Sequence, residues 1–339
     1  MTDRYSRQTL FSPIGTAGQN QLAKAHVLIV GAGALGSSNA EMLTRAGVGT
    51  LTLIDRDYVE SSNLHRQQLY TEADALNQMP KTVAAKEHLQ LINGDTDIRA
   101  YILDAKASNL EPLLDASVDL MIDATDNFDI RFIMNDLSAK YEIPWLFGAC
   151  AGSYGMAYMV RPWEGPCLNC LLSSIPSSVM TCESDGVIAP VVQQTTLLQS
   201  VEAMKWLSGN RTVVEDKLVI YDVWRGDHQR LGVQRAKVKE CSTCGDTPVY
   251  PYLIAEENTK TAVLCGRETV QIRPDHQRSF DLTHMAAKLQ PYGKIKRNPY
   301  LVSCELNEHR LAIFQDGRVL VHGTKDIEQA RGLYEAYVL

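Results

Sequence analysis

The spacing of apolar positions divides the chain before any single residue is considered. "HVLIVG" (26–31) is an unbroken, β-branched apolar run that stops at a glycine, the pattern of a strand buried on both faces of a parallel sheet. "ALGSSNAEMLTRAGV" (34–48) changes to helical spacing, and "TLTLID" (50–55) returns to strand. A lysine-bearing helical stretch (81–93) leads to a third strand, "DIRAYIL" (97–103), and "VDLMIDAT" (118–125) is a fourth. "IPWLFGAC" (143–150) and "GMAYMVRP" (155–162) continue the series, and residues 16–25 predict a short leading helix. Strands alternating with helices over the first 150 residues predict an α/β fold with a doubly wound sheet.

Near residue 245 the texture changes. "AVLCGRETVQIRP" (262–274), a helical "DLTHMAAKLQ" (281–290) and "LVSCELN" (301–307) are followed by "HRLAIFQDGRVLVHG" (309–323), which predicts a hairpin turned at Asp316-Gly317. "KDIEQARGLYEAYV" (325–338) closes as an amphipathic helix. The predicted domains are therefore a large one over 1–248 and a small α+β module over 249–339 in which no catalytic set is visible.

Composition narrows the function classes. The 339 residues suffice for one large and one small domain, and 45% hydrophobic with 22% charged residues is ordinary for a globular protein. A formal charge of −7 argues against a nucleic-acid binder. No apolar run approaches the roughly 18 residues that span a bilayer, so no membrane role is expected. The opening MTDRYSRQ has no apolar core of a secretory signal, so a cytoplasmic setting is expected. There the eight cysteines stay reduced, and their spacing points to metal or chemistry rather than disulfides. There is no internal repeat and no low-complexity tract.

"GAGALG" sets Gly31, Gly33 and Gly36 in the G-x-G-x-x-G pattern, directly after a strand and opening a helix. Such glycines permit a tight turn and close approach of backbone to phosphate, and the helix N-terminus supplies N–H donors. Asp55 lies 19 residues beyond Gly36, where a carboxylate accepts hydrogen bonds from ribose hydroxyls. The pattern predicts a Rossmann-like nucleotide site without naming the nucleotide. Two C-x-x-C pairs, Cys167/Cys170 and Cys241/Cys244, fit four thiolates around one Zn²⁺. With about 70 residues between the pairs, the metal would clamp distant segments. Four sulfur ligands leave no open position, so a structural site is expected.

The residues beyond Asp55 do not suit hydride transfer. Asn63, His65 and Arg66 come close behind it, Lys81 stands in "MPKTVAAK", and "DATDNFDIR" holds Asp123, Asp126, Asn127 and Arg131. An enzyme that breaks ATP at the α-phosphate uses arginine and lysine to neutralise a charged transition state, and a carboxylate to hold Mg²⁺. Asp126, just past the fourth strand, falls at the carboxyl edge where such sheets bind ligands. Asp57 is open between assisting the metal and capping its loop, and Arg131 between orienting phosphate and pairing with an acid. Asp123 reads as a structural acid at the strand end. His65 receives no role.

On these residues the chain resembles the ThiF/MoeB family, bacterial relatives of ubiquitin-activating E1 enzymes. The resemblance rests on "RYSRQ" (4–8), "GAGALG", "LIDRDYVESSNLHRQ", "PK" (80–81), "DATDN" (123–127), both C-x-x-C pairs and "TCESDGVIAPVV" (181–192), over roughly residues 4–248. It implies an adenylyltransferase that uses ATP and Mg²⁺ to activate the Gly-Gly C-terminus of a ubiquitin-like sulfur carrier, ThiS-like or MoaD-like, in thiamine or molybdopterin synthesis. A sulfur donor, desulfurase or rhodanese, would then supply the thiocarboxylate sulfur. The resemblance implies that Asp55 holds ribose, that Asn63, Arg66 and Lys81 hold phosphates, and that Asp126 binds Mg²⁺. Arg7 matches an arginine that reaches the partner subunit's ATP site, which implies a homodimer. Cys182 matches a cysteine that takes part in sulfur transfer in ThiF-like relatives and that activation need not use in MoeB-like ones. Cys150, Cys265 and Cys304 lie in apolar runs and read as core thiols. The alternatives are an E1-like enzyme of tRNA modification, a non-catalytic E1-like scaffold, and an NAD-dependent oxidoreductase, which leaves Arg66, Lys81 and the cysteine pairs without a purpose.

Overall fold

The apolar runs of the first half assemble side by side. In the computed structural model, which describes residues 3–114, 117–172, 186–254, 261–263, 268–272 and 279–339, eight strands form one sheet. They are β1 (His26–Val30), β2 (Thr50–Asp55), β3 (Asp97–Ile102), β4 (Leu120–Asp123), β5 (Trp145–Ala151), β6 (Tyr154–Val160), β7 (Lys217–Asp222) and β8 (Asp227–Gly232), in the order β3-β2-β1-β4-β5-β6-β7-β8. The first five are parallel; β6, β7 and β8 are added antiparallel. The direction of winding reverses between β1 and β4, the point where open α/β sheets leave a crevice at the strands' carboxyl ends.

Register decides what stands at that crevice. Val30 is opposite Ile54 on one side and Asp123 on the other. Gly31, Asp55 and Asp123 therefore reach the same edge at adjacent strand ends. All five residues of β1 and all four of β4 are buried, as expected for strands covered on both faces. Below the edge, Leu28, Val30, Ile54, Met121 and Trp145 pack with Ile133, Met134 and Leu137 of the Phe128–Tyr141 helix. On the other face, the Ala189–Leu207 helix is locked to the Ala34–Ala46 helix by buried amides. Asn39 Nδ2 donates to Gln199 Oε1 (2.7 Å), and Gln199 Nε2 donates to the Asp123 carbonyl (2.9 Å).

By contact density the chain divides into residues 1–76 with 80–256, and residues 77–79 with 257–339. The second unit carries a six-stranded antiparallel sheet, ordered β11-β12-β13-β14-β10-β9. Its strands are β9 (Thr261–Val263), β10 (Thr269–Ile272), β11 (Lys294–Arg297), β12 (Leu301–Leu306), β13 (His309–Phe314) and β14 (Val319–His322). Val302, Cys304, Leu311 and Ile313 share one face and pack against Met285 and Leu289 of the Leu282–Leu289 helix and Ala330 and Tyr334 of the Ile327–Tyr337 helix. The β13–β14 hairpin forms as predicted, with Gly317 at φ 91° supplying the left-handed residue of its turn. No helix among the described residues is long and apolar enough to cross a membrane.

Candidate active site

The glycine loop divides its glycines between two duties. A Cβ on Gly31, which sits at φ +96°, would lie 2.5 Å from the Ala124 carbonyl oxygen. One on Gly36 would lie 1.8 Å from the Gly31 carbonyl oxygen. These two let the Ala34–Ala46 helix start tight against the β1 and β4 ends. Gly33 meets nothing closer than Gln67 Nε2 at 3.7 Å. The protein leaves room there, so bare backbone is presented on the open side of the loop. The helix that begins after Gly33 has no side-chain N-cap, which leaves the N–H donors of its first turn for another acceptor.

Asp55 stiffens the same loop. Its carboxylate accepts from the Ala32 N–H and the Asp57 N–H, each at 2.7 Å. Burial pushes its pKa up and the Lys81 ammonium pulls against that. Lys81 is 4% exposed, and its Nζ lies 3.2 Å from Asp57 Oδ2 while its N–H donates to the Asp57 carbonyl at 2.9 Å. Asp57 thus pairs with the lysine, a contact outside both alternatives the sequence left for it.

The segment after Asp57 is a single turn, Ser61–Asn63, followed by irregular backbone. Arg66 is half-buried with Nη1 donating to the Ser62 carbonyl at 3.1 Å. Asn63 and Gln67 are buried at 2% and 3% exposure, and Asn63 Oδ1 and Gln67 Oε1 have no hydrogen-bond partner among the described residues. Buried polar atoms without partners are uncommon and carry a cost. Sequence alone gives Gln67 no role; its only signal is its place beside Arg66.

Across the crevice, Asp123 is fully buried and bonded on both oxygens. Oδ1 accepts from the Thr125 N–H (2.9 Å) and hydroxyl (2.8 Å), and Oδ2 pairs with Arg131 Nε (2.8 Å). Arg131 also donates to the Thr125 carbonyl at 2.7 Å and lies about equally over the Phe128 and Phe147 rings, at 5.0 and 5.2 Å. Asp123 is therefore the structural acid expected, and Arg131 is its partner. Together they fix the turn from which Asp126 projects, exposed and at a bend. Asn127 caps the next helix through Asp129 N–H. Arg7 is exposed on the short Ser6–Thr9 helix, and Cys182 lies outside the described residues, as does Cys265. Cys304 is buried as expected, but Cys150 is only partly so, packed beside Val191 and Tyr221.

The two cysteine pairs meet. Cys167 to Cys170 is 3.9 Å, Cys167 to Cys241 and Cys170 to Cys244 are each 3.6 Å, and all four sulfurs lie within 4.8 Å of one another. A tetrahedral four-sulfur site with metal–sulfur bonds of about 2.3 Å has sulfur–sulfur edges of about 3.8 Å, so the cluster fits such an ion. Crowding among the thiols pulls the Cys244 thiol down, while the same crowding and burial push Cys167 up. The middle of the Phe128–Tyr141 helix holds both pairs. Asn135 Oδ1 accepts from the Leu168 N–H (2.8 Å), and Asp136 Oδ1 accepts from the Thr243 hydroxyl (2.5 Å).

A ThiF family profile matches residues 5–243, which contain the glycine loop, both acids of the β4 turn and three of the four clustered cysteines. The chain belongs to the ThiF family. It is 46% identical over 340 residues to the sulfur carrier protein ThiS adenylyltransferase of Bacillus subtilis (strain 168), with 100% of each chain covered. It is 33% identical over 256 residues to the adenylyltransferase and sulfurtransferase MOCS3 of Culex quinquefasciatus, covering 75% of this chain and 58% of that one. Among solved structures, E. coli MccB with ATP superposes with a TM-score of 0.62 at 22% identity, over 72% of this chain and 75% of that one, a likeness of fold. As a ThiF-family protein the chain is an E1-like adenylyltransferase.

Proposed function

We propose that this chain transfers AMP from Mg·ATP to the C-terminal glycine of a ThiS-type ubiquitin-like sulfur carrier. The observation that carries the choice of carrier is the 46% identity, end to end, with the Bacillus subtilis enzyme of that name. In the reaction a carboxylate oxygen of the carrier's terminal glycine bonds to the α-phosphorus. The bond from that phosphorus to the pyrophosphate oxygen breaks, and an acyl-adenylate and pyrophosphate result. The outer sulfur of a persulfide on a desulfurase or rhodanese partner would then displace AMP to form an acyl disulfide, and a second thiol would attack its S–S bond, releasing the thiocarboxylate and leaving a disulfide between the two thiols.

The residues divide this work by charge. The backbone of Gly31–Gly36 and the uncapped helix N-terminus take phosphate oxygens. Asp55, held by two N–H donors, keeps lone pairs for the ribose hydroxyls. Lys81 and Arg66 neutralise charge that builds on the phosphates, the Asn63 amide N–H would donate to a phosphate oxygen, and the unpartnered acceptors Asn63 Oδ1 and Gln67 Oε1 are open to a hydroxyl or amino donor of the nucleotide. Asp126 would hold Mg²⁺, which when bound offsets the phosphate charge and favours the leaving group. Arg7 would complete the site of a second subunit in a homodimer, and the Cys182 thiolate would join the sulfur to the carrier. The four-cysteine cluster would take Zn²⁺, whose two positive charges would offset half of the charge on four thiolates, and the site would clamp 167–170 to 241–244.

ATP–pyrophosphate exchange tests this reading. Exchange is expected with an intact ThiS-type carrier and absent with one shortened by its terminal glycine. Exchange that proceeds equally with both, or only with a MoaD-type carrier, contradicts it.

A further inference from the structure

Tyr70 belongs to none of the motifs that mark the site, yet it is 6% exposed and sits under the glycine loop. Its hydroxyl lies 2.6 Å from the Ala32 carbonyl oxygen and 3.1 Å from that of Lys81. A phenol has one proton to donate, and the shorter contact is to Ala32. Burial, with Asp55 and Asp74 nearby, pushes the Tyr70 pKa well up, so the proton is present at any working pH.

The Ala32 residue is thus held twice. Its N–H is taken by Asp55 Oδ2 at 2.7 Å and its carbonyl by Tyr70. In a trans peptide the C=O and the following N–H point in opposite directions. Drawing the Ala32 carbonyl inward therefore turns the Gly33 N–H outward. No acceptor among the described residues takes that N–H. Gly33 is also the glycine of the loop whose Cβ space the protein leaves free.

We propose that Tyr70 is a positioning residue that sets the Ala32–Gly33 peptide plane, so that the Gly33 N–H is aimed at a phosphate of the bound nucleotide. The proposal rests on reading the glycine loop as a phosphate cradle. It adds that the aim of the cradle is set from a residue remote from the loop in sequence. The contact at Lys81 extends the effect: the same hydroxyl touches backbone on the two segments that would grip the phosphates.

The test compares wild-type protein with Tyr70→Phe, which keeps the ring and its packing and removes only the hydroxyl. ATP binding and adenosine binding are both measured by displacement of a fluorescent ATP analogue. The expected result is a Kd for ATP raised about threefold to tenfold, the span of one lost neutral hydrogen bond, with adenosine changed by less than about twofold. A structural loss without positioning would weaken both ligands alike, and that outcome, or no change in either, overturns the proposal. A second readout does not depend on the variant. In ¹⁵N-glycine-labelled wild-type protein, the Gly33 amide resonance, identified by its loss in Gly33→Ala, should move on ATP addition. An unmoved resonance in a protein that binds ATP overturns the proposal alone; absence of ATP binding by the wild type overturns the cradle reading and this inference with it.

Discussion

Asp123 and Asp126 stand three residues apart and differ in every physical respect. Asp123 is enclosed, with both oxygens bonded and Arg131 beside it; Asp126 is exposed. Asp126→Ala should therefore leave the melting temperature unchanged and lower ATP–pyrophosphate exchange by at least about 100-fold through lost Mg²⁺ binding. Near-normal exchange would mean that the metal is held elsewhere. At this scale the sequence was legible where a residue's position follows from its place in a motif: Gly31, Asp55 and Lys81 stand at a strand end or helix start that the apolar pattern already marks. It was not legible where a role comes from contact across the fold. Tyr70 touches a carbonyl 38 residues away, and the Lys81–Asp57 pair spans 24. Nothing in the local spelling announces either.

The elements obey the same division. β1 and β4 were readable because burial on both faces demands unbroken apolar runs. The Ala189–Leu207 helix was not, because its buried face carries Thr195, Thr196, Gln199 and Ser200, whose polar side chains blur the helical apolar period. β8 is exposed along its whole length and offers no alternation to read. In the second unit, the Leu282–Leu289 helix starts at Asp281, whose carboxylate accepts from the Thr283 and His284 N–H groups. Those bonds hold its pKa below the usual 3.8. A carboxylate with a depressed folded-state pKa adds stability above the unfolded value and loses it as pH falls through the folded one. The melting temperature of Asp281→Ala should thus fall short of wild type at pH 7, and the gap should close as pH drops below 3.8. A gap independent of pH would show that the carboxylate charge is not what caps the helix.

For the whole molecule, the alternation of strand and helix announced a doubly wound sheet, but not the register that brings Gly31, Asp55 and Asp123 to one edge. Register is fixed by pairing between strands far apart in sequence. The four-cysteine cluster was legible from two spacings alone, since each pair fixes two ligands locally and only their meeting needs the fold. Metal analysis should find about one zinc per chain, and its removal by a chelator should lower the melting temperature, because four crowded thiols lose the charge that joins two distant segments. A metal-free protein of undiminished stability would refute the clamp. Purified protein is mixed with Mg·ATP and, separately, a ThiS-type and a MoaD-type carrier, and each carrier is examined by mass spectrometry for AMP on its C-terminal glycine. An adenylate is expected on the ThiS-type carrier in preference to the other. ATP binding with no adenylate on either carrier would contradict the proposed adenylation.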